Sequence, residues 1–170
     1  MRAGHRCLGV TLMLALLLAG CEEDCGDTNW PLTATSLDSL LAAPQSVSTG
    51  GKTYVLEADL WRDFMPTFGP DQSSCLGSPL MVVVEAVTTD PAGVSPTLEM
   101  DWVWVIRDDE ARETELGPVA GTTPERLARR ALGTGPKWDT GIRVHVVVRL
   151  RDETTEMLLR VSDQLIVRTE

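Results

Sequence analysis

The chain has 170 residues, with 15 basic and 25 acidic side chains and a formal charge of −10; 43% of its residues are hydrophobic and 24% charged. That balance supports a packed core and excludes wholesale disorder. A body of this sign repels nucleic acid unless a strong local basic stripe overrides it, so no nucleic-acid partner is expected.

Arg2 and Arg6 precede residues 7–19, which are mostly Leu, Ala, Val and Met; small Ala19 and Gly20 come next, then Cys21 and the acidic run Glu22-Glu23-Asp24. This is the layout of an export signal, and the apolar run falls short of the roughly 20 residues a spanning helix needs. The tetrapeptide Leu18-Ala19-Gly20-Cys21 resembles the lipobox of bacterial lipoproteins. The resemblance implies that residues 1–20 are a signal peptide, that Cys21 is lipidated and becomes the first mature residue, and that the protein is anchored to a membrane there. With several acyl chains the anchor is stable, since each buried methylene contributes about 0.8 kcal/mol. Glu22 after the cysteine implies the default route, in this class, to the outer membrane of a two-membrane bacterium. An uncleaved or buried helix is the competing reading. Cleavage leaves 150 residues, one domain's worth, with 13 basic against 25 acidic side chains and a formal charge of −12.

Cys7 leaves with the signal and Cys21 is lipidated, so Cys25 and Cys75 remain as a pair. In an oxidising compartment two such thiols form a structural disulfide more readily than a metal site, which wants four ligands. A closed loop of about 50 residues stabilises by roughly 4 kcal/mol in the chain-entropy model. An intermolecular bond through Cys25 is the alternative. Residues 21–50 read as a partly ordered tether. Within it Leu37, Leu40 and Leu41 have helical spacing behind Ser36, which predicts a short helix lying on the domain. Ser48-Thr49-Gly50-Gly51 then punctuates the chain, and the periodicity changes.

Residues 51–170 form the expected domain, with apolar positions mainly at period two. In residues 52–63, Tyr54, Leu56, Ala58 and Leu60 share a face opposite Glu57 and Asp59. Residues 80–88 are nearly continuously apolar and predict a central strand buried on both faces. Leu98, Met100, Trp102, Trp104 and Ile106 alternate with Glu99, Asp101, Val103, Val105 and Arg107, and so predict one face of one strand. Ile142, Val144, Val146, Val148 and Leu150 alternate with Arg143, His145, Val147, Arg149 and Arg151. A turn at Asp152-Glu153-Thr154-Thr155 makes residues 142–169 a C-terminal hairpin. Residues 122–133 break the rhythm: Thr122-Thr123-Pro124-Glu125 is a capping-box pattern and Gly133 a terminator, which predicts one helix before that hairpin.

Five to seven strands with one short helix predict an all-β, antiparallel sandwich. The arrangement over about residues 44–170 resembles immunoglobulin-like domains, although the inter-sheet cysteine pair and the tyrosine corner of antibody domains are absent: the one tyrosine is Tyr54.

Chemistry-bearing motifs are scarce. His145 is the one mature histidine, and no zincin, nucleophile-elbow, phosphate-loop, dinucleotide or EF-hand spacing occurs. No catalytic, cofactor or metal residue is assigned, and the chain is expected not to be an enzyme. Asp108-Asp109-Glu110 reads as a charged loop tip, with calcium ligation as the rival reading. Trp102 and Trp104 read as core, with an exposed stacking platform as the rival. Arg143, Arg149 and Arg151 stand out on an acidic body; they fit either cross-strand ion pairing or contact with an acidic partner, and are the candidate partner-binding residues. The expected function is a membrane-anchored envelope lipoprotein acting as a non-catalytic interaction module beside an envelope protein. A ligand- or glycan-binding lipoprotein is the alternative, and an unrecognised hydrolase the third reading.

Overall fold

The computed structural model describes residues 28–65, 77–119 and 123–170. Cys21, Cys25 and Cys75, and with them the lipidation and disulfide expectations, lie outside the described residues. A five-residue helix, α1 (Leu37–Leu41), precedes eight strands: β1 (Ser46–Thr49), β2 (Lys52–Asp63), β3 (Met81–Thr88), β4 (Leu98–Arg107), β5 (Glu110–Pro118), β6 (Arg126–Ala131), β7 (Arg143–Asp152) and β8 (Thr155–Thr169). The chain is all-β apart from α1.

The strands follow the order β1-β2-β3-β6-β5-β4-β7-β8, and a further β2–β8 pairing closes seven of them into a barrel. The two separate sheets of a sandwich are thus joined at both edges. Two strands make the joints by serving both halves. Residues 110–115 of β5 pair with β4 while residues 116–118 pair with β6. Residues 155–165 of β8 pair antiparallel with β7, and residues 166–169 turn to pair parallel with β2. Closure removes the long exposed edges through which open sheets aggregate.

The helix expected at residues 122–133 is a strand instead. β6 pairs with β3 through residues 126–130 and with β5 through residues 129–131, so it fills the wall between them. Two ladders supply backbone partners on both sides, which outweighs the modest helix preference of Arg, Leu and Ala. Leu127 and Ala131 pack against the core, but Arg129 between them masks the period-two signal. The β3 expectation also changes: Val82, Val84, Ala86 and Thr88 are buried, whereas Met81 is exposed and Val83 and Val87 are half-buried. β1 and β5 are strands that the apolar pattern did not announce.

The interior holds Tyr54, Leu56, Leu60, Val82, Val84, Met100, Val103, Val105, Val146, Val148, Leu159 and Ile166. On β4 the single expected face is split by a bulge between Met100 and Trp102. Leu98 and Met100 belong to the interior cluster, as do Val103 and Val105 beyond the bulge, while Trp104 and Ile106 turn outward. There they form a second cluster with Ala111 and Val147, roofed by Leu40 and Ala43 and flanked by Leu37 and Leu41. A five-residue helix has no stability of its own. α1 exists because Leu40, fully buried, covers Trp104; Ser36 precedes the helix but makes no side-chain cap bond.

Residues 28–49 therefore form a strap around the outside of the barrel. Trp30 is 1% exposed and donates its indole N–H to the Leu132 carbonyl at 2.7 Å. Residues 31–33 then line the free stretch of the β5 edge, through Glu113 N–H to Pro31 O and Thr33 N–H to Ala111 O, both 3.1 Å. After α1, the Arg160 N–H donates to Pro44 O at 2.9 Å, and β1 adds to β2. The two-residue turn Gly50-Gly51 has φ of 57° and 76°, a geometry that suits glycine and the twist of a tight hairpin. Among the described residues, no helix is long and apolar enough to cross a membrane.

Candidate functional site: the open seam between β2 and β8

The arginines singled out on β7 already have partners. The β4 bulge adds Asp101 opposite β7, where Arg149 grips it from Nε and Nη2 at 2.8 and 2.9 Å and Arg151 from Nη1 at 2.9 Å. The Arg149 hydrogen bonds, chiefly, hold the Asp101 carboxyl below its ordinary range and raise that of the guanidinium. Arg149 also lies over the Trp102 ring at 5.6 Å. Arg151 reaches Glu156 at 3.4 Å, and Arg143 donates to the Asp163 carbonyl at 2.6 Å, at the β8 bulge where Asp163 has φ of 57°. The stripe is thus largely neutralised within the protein.

Other residues singled out are equally local. Asp108 and Asp109 form the tight β4–β5 turn, with Asp108 at φ 53°; the Glu110 carboxylate sits between Arg107 at 3.0 Å and Arg112 at 2.7 Å. Trp104 is buried outside the barrel interior and donates its indole N–H to Glu113 at 2.6 Å, while Trp102 is half-buried. Neither forms an open stacking surface. His145 is half-buried, and its Nδ1 is buried without a hydrogen-bond partner among the described residues. No group of three His, Cys, Asp or Glu able to hold a metal occurs among them.

An open part of the barrel wall lies elsewhere. One edge of β2 pairs with β3 continuously over residues 54–61. Its other edge pairs with β1 over residues 52–55 and with β8 over residues 60–63, leaving residues 56–59 without a ladder partner on that side. Counting from the Thr49–Lys52 pair that closes the Gly50-Gly51 turn, the even-numbered residues turn their peptide groups to this edge, so Ala58 presents its N–H and C=O to the gap.

The gap opens as a groove of about 350 Å³ between Leu56, Ala58 and Val161 on one level and Glu57, Asp59 and Glu85 on the other. A second groove of about 470 Å³ adjoins it, sharing Ala58, Asp59 and Gln164 and walled by Trp61, Leu165 and Val167. Leu165 and Val167 there are 44% and 46% exposed, and Met81, the β3 partner of Trp61, is 42% exposed beside them, a concentration of apolar surface of the kind that marks interaction sites. Glu57 and Glu85 face each other across the ladder, and Arg126 bridges both, which offsets a like-charge pair. Asp59 has no hydrogen bond or ion pair among the described residues. Residue types alone did not single out this site, because it arises where two strands part.

At the end of the barrel below this seam, Arg62 is a buried cation. It donates to the Ser78 carbonyl from Nε and to the Trp138 carbonyl from Nη1, both at 2.9 Å, and burial lowers its pKa. The chain matches no family model, no curated protein and no solved structure.

Proposed function

We propose that this protein is a lipid-anchored envelope lipoprotein whose barrel is a non-catalytic interaction module, docking an envelope protein along the β2–β8 seam. The apolar groove walled by Trp61, Leu165 and Val167 carries the reading, because the strap covers the β5–β6 joint but only half of the β2–β8 joint and leaves the rest open. The motif content supports the non-catalytic part: His145 is the one histidine beyond residues 1–20, and no nucleophile or metal-ligand spacing accompanies it in the sequence. The fold is read as immunoglobulin-like, supported by the order β2-β3-β6-β5 followed by β4-β7-β8, which is the ABED then CFG order of that architecture with its edges closed.

Anchoring at Cys21 sets the geometry. The strap enters at the end of the barrel that also carries the β6–β7 connection, where Asn29 N–H meets Thr134 O at 3.0 Å. Seven residues of chain span at most about 25 Å, which limits how far that end of the barrel stands from the bilayer. Photo-crosslinking from Leu165 in native membranes tests the reading, with Thr154, on the opposite turn, as the control position. A discrete adduct from Leu165 and none from Thr154 is expected. Equal or absent adducts at both positions count against an interaction module.

A further inference from the structure

We propose that the open edge of β2 at residues 56–59 is a strand-addition site for an extended segment of a partner protein in which apolar and basic side chains alternate. This rests on the interaction-module reading and adds the chemistry of the partner. Three observations converge on it.

First, the backbone of Ala58 is turned to the gap with no ladder partner, which is the main-chain requirement for adding a strand. The neighbouring stretches of the same edge are already filled by β1 and by β8, so the site accepts a short segment in one register. Second, the two levels of the groove differ in chemistry as the two faces of a strand do. Side chains pointing inward from the added segment meet Leu56, Ala58 and Val161, and those pointing outward meet Glu57 and Asp59. Third, the outer level is acidic and incompletely neutralised. Arg126 serves Glu57 and Glu85, whereas Asp59 is left without a partner in the middle of both grooves. A basic side chain there supplies the missing charge, and an acidic one meets three carboxylates at close range.

The test uses the full chain in neutral detergent micelles and a fluorescein-labelled eight-residue peptide of alternating valine and lysine, read by anisotropy. The same peptide with glutamate for lysine is the comparison. The lysine peptide is expected to saturate, with the glutamate peptide at least about tenfold weaker. Ala58→Pro removes only the edge-facing donor and spares the β3 ladder, so it is expected to weaken the lysine peptide about tenfold or more while the unfolding midpoint stays near that of the parent. Asp59→Lys provides a second variant free of backbone change, and is expected to shift preference toward the glutamate peptide. Equal affinity for both peptides, no binding of either, or binding undiminished in both variants overturns the proposal. If Leu165 crosslinks persist in that case, the interaction-module reading stands and only strand addition fails. A two-chain mass in light scattering that drops to one chain on Ala58→Pro assigns the edge to a second copy, and likewise overturns the partner proposed.

Discussion

Asp101 is an extra residue in β4, and its position explains why the arginines of β7 are not free. A bulge turns its carboxylate toward Arg149 and Arg151, and the pairing is strongest with Arg149, whose two nitrogens meet both oxygens. Asp152 is held similarly at the C-terminal end of β7, by hydroxyls of Thr97 at 2.5 Å and Thr49 at 2.8 Å, which also lower its pKa. For both groups the folded pKa lies below the unfolded value of about 3.9, so their stabilisation is complete above that pH and is lost as pH falls through the lowered folded values. Urea denaturation at descending pH is expected to show stability falling below about pH 4, with a shallower fall in Asp101→Asn and in Asp152→Asn. An unchanged slope in both variants would contradict these assignments. The tryptophans give a second residue-scale expectation. Trp104→Ala opens a cavity under α1 and leaves the Glu113 carboxylate with the Thr33 hydroxyl as its donor, at about 3–5 kcal/mol, while half-buried Trp102→Ala costs less than about 2 kcal/mol. Equal losses in denaturant titrations would place both rings in the same environment.

Among the elements, the strap carries the most unexpected role. Residues 28–49 are poor in regular structure, yet they supply Trp30 to the interior, a backbone edge to β5, a roof to Trp104 and a partner strand to β2. Each contact covers a place where the seven-stranded wall is incomplete. Trp30→Ala is therefore expected to cost about 3–5 kcal/mol in thermal or chemical unfolding. A loss under about 0.5 kcal/mol, typical of a loose surface segment, would mean the strap is dispensable. β6 shows the opposite relation between local and global preference. Its composition favours a helix, and its place between β3 and β5 makes it a strand.

For the whole molecule, closure distributes stability around the ring and leaves function to what closure omits. The strap covers the β5–β6 joint and half of the β2–β8 joint, so the remaining window faces solvent from a rigid frame. Anchoring at Cys21 would keep that frame close to the membrane. Intact-mass measurement of the full chain expressed in a lipoprotein-processing bacterium tests both cysteine expectations at once. The expected species lacks residues 1–20, carries the lipid mass, and gains two hydrogens on reduction of the Cys25–Cys75 bond. Cys21→Ala is expected to leave the unprocessed chain without lipid. A processed, unlipidated product, or free thiols at Cys25 and Cys75, would refute the corresponding assignment.

The sequence by itself determined what depends on neighbours along the chain. Alternation in residues 52–63 and 143–152 predicted β2 and β7 with the observed faces, Leu37, Leu40 and Leu41 predicted α1, and Asp152 to Thr155 predicted the turn into β8, because side-chain direction in a strand or helix follows from spacing alone. Tertiary structure decided everything that depends on a distant edge. One inserted residue at Asp101 reversed the faces of half of β4, and two flanking ladders turned residues 126–131 from an expected helix into a strand. The same holds for the candidate site. Leu56, Ala58, Asp59, Leu165 and Val167 carry no motif, and they meet only because β8 leaves β7 to pair with β2 after a four-residue gap beyond the end of the β1 ladder. Backbone pairing between segments more than 100 residues apart has no local signature, so a groove made by its interruption has none either.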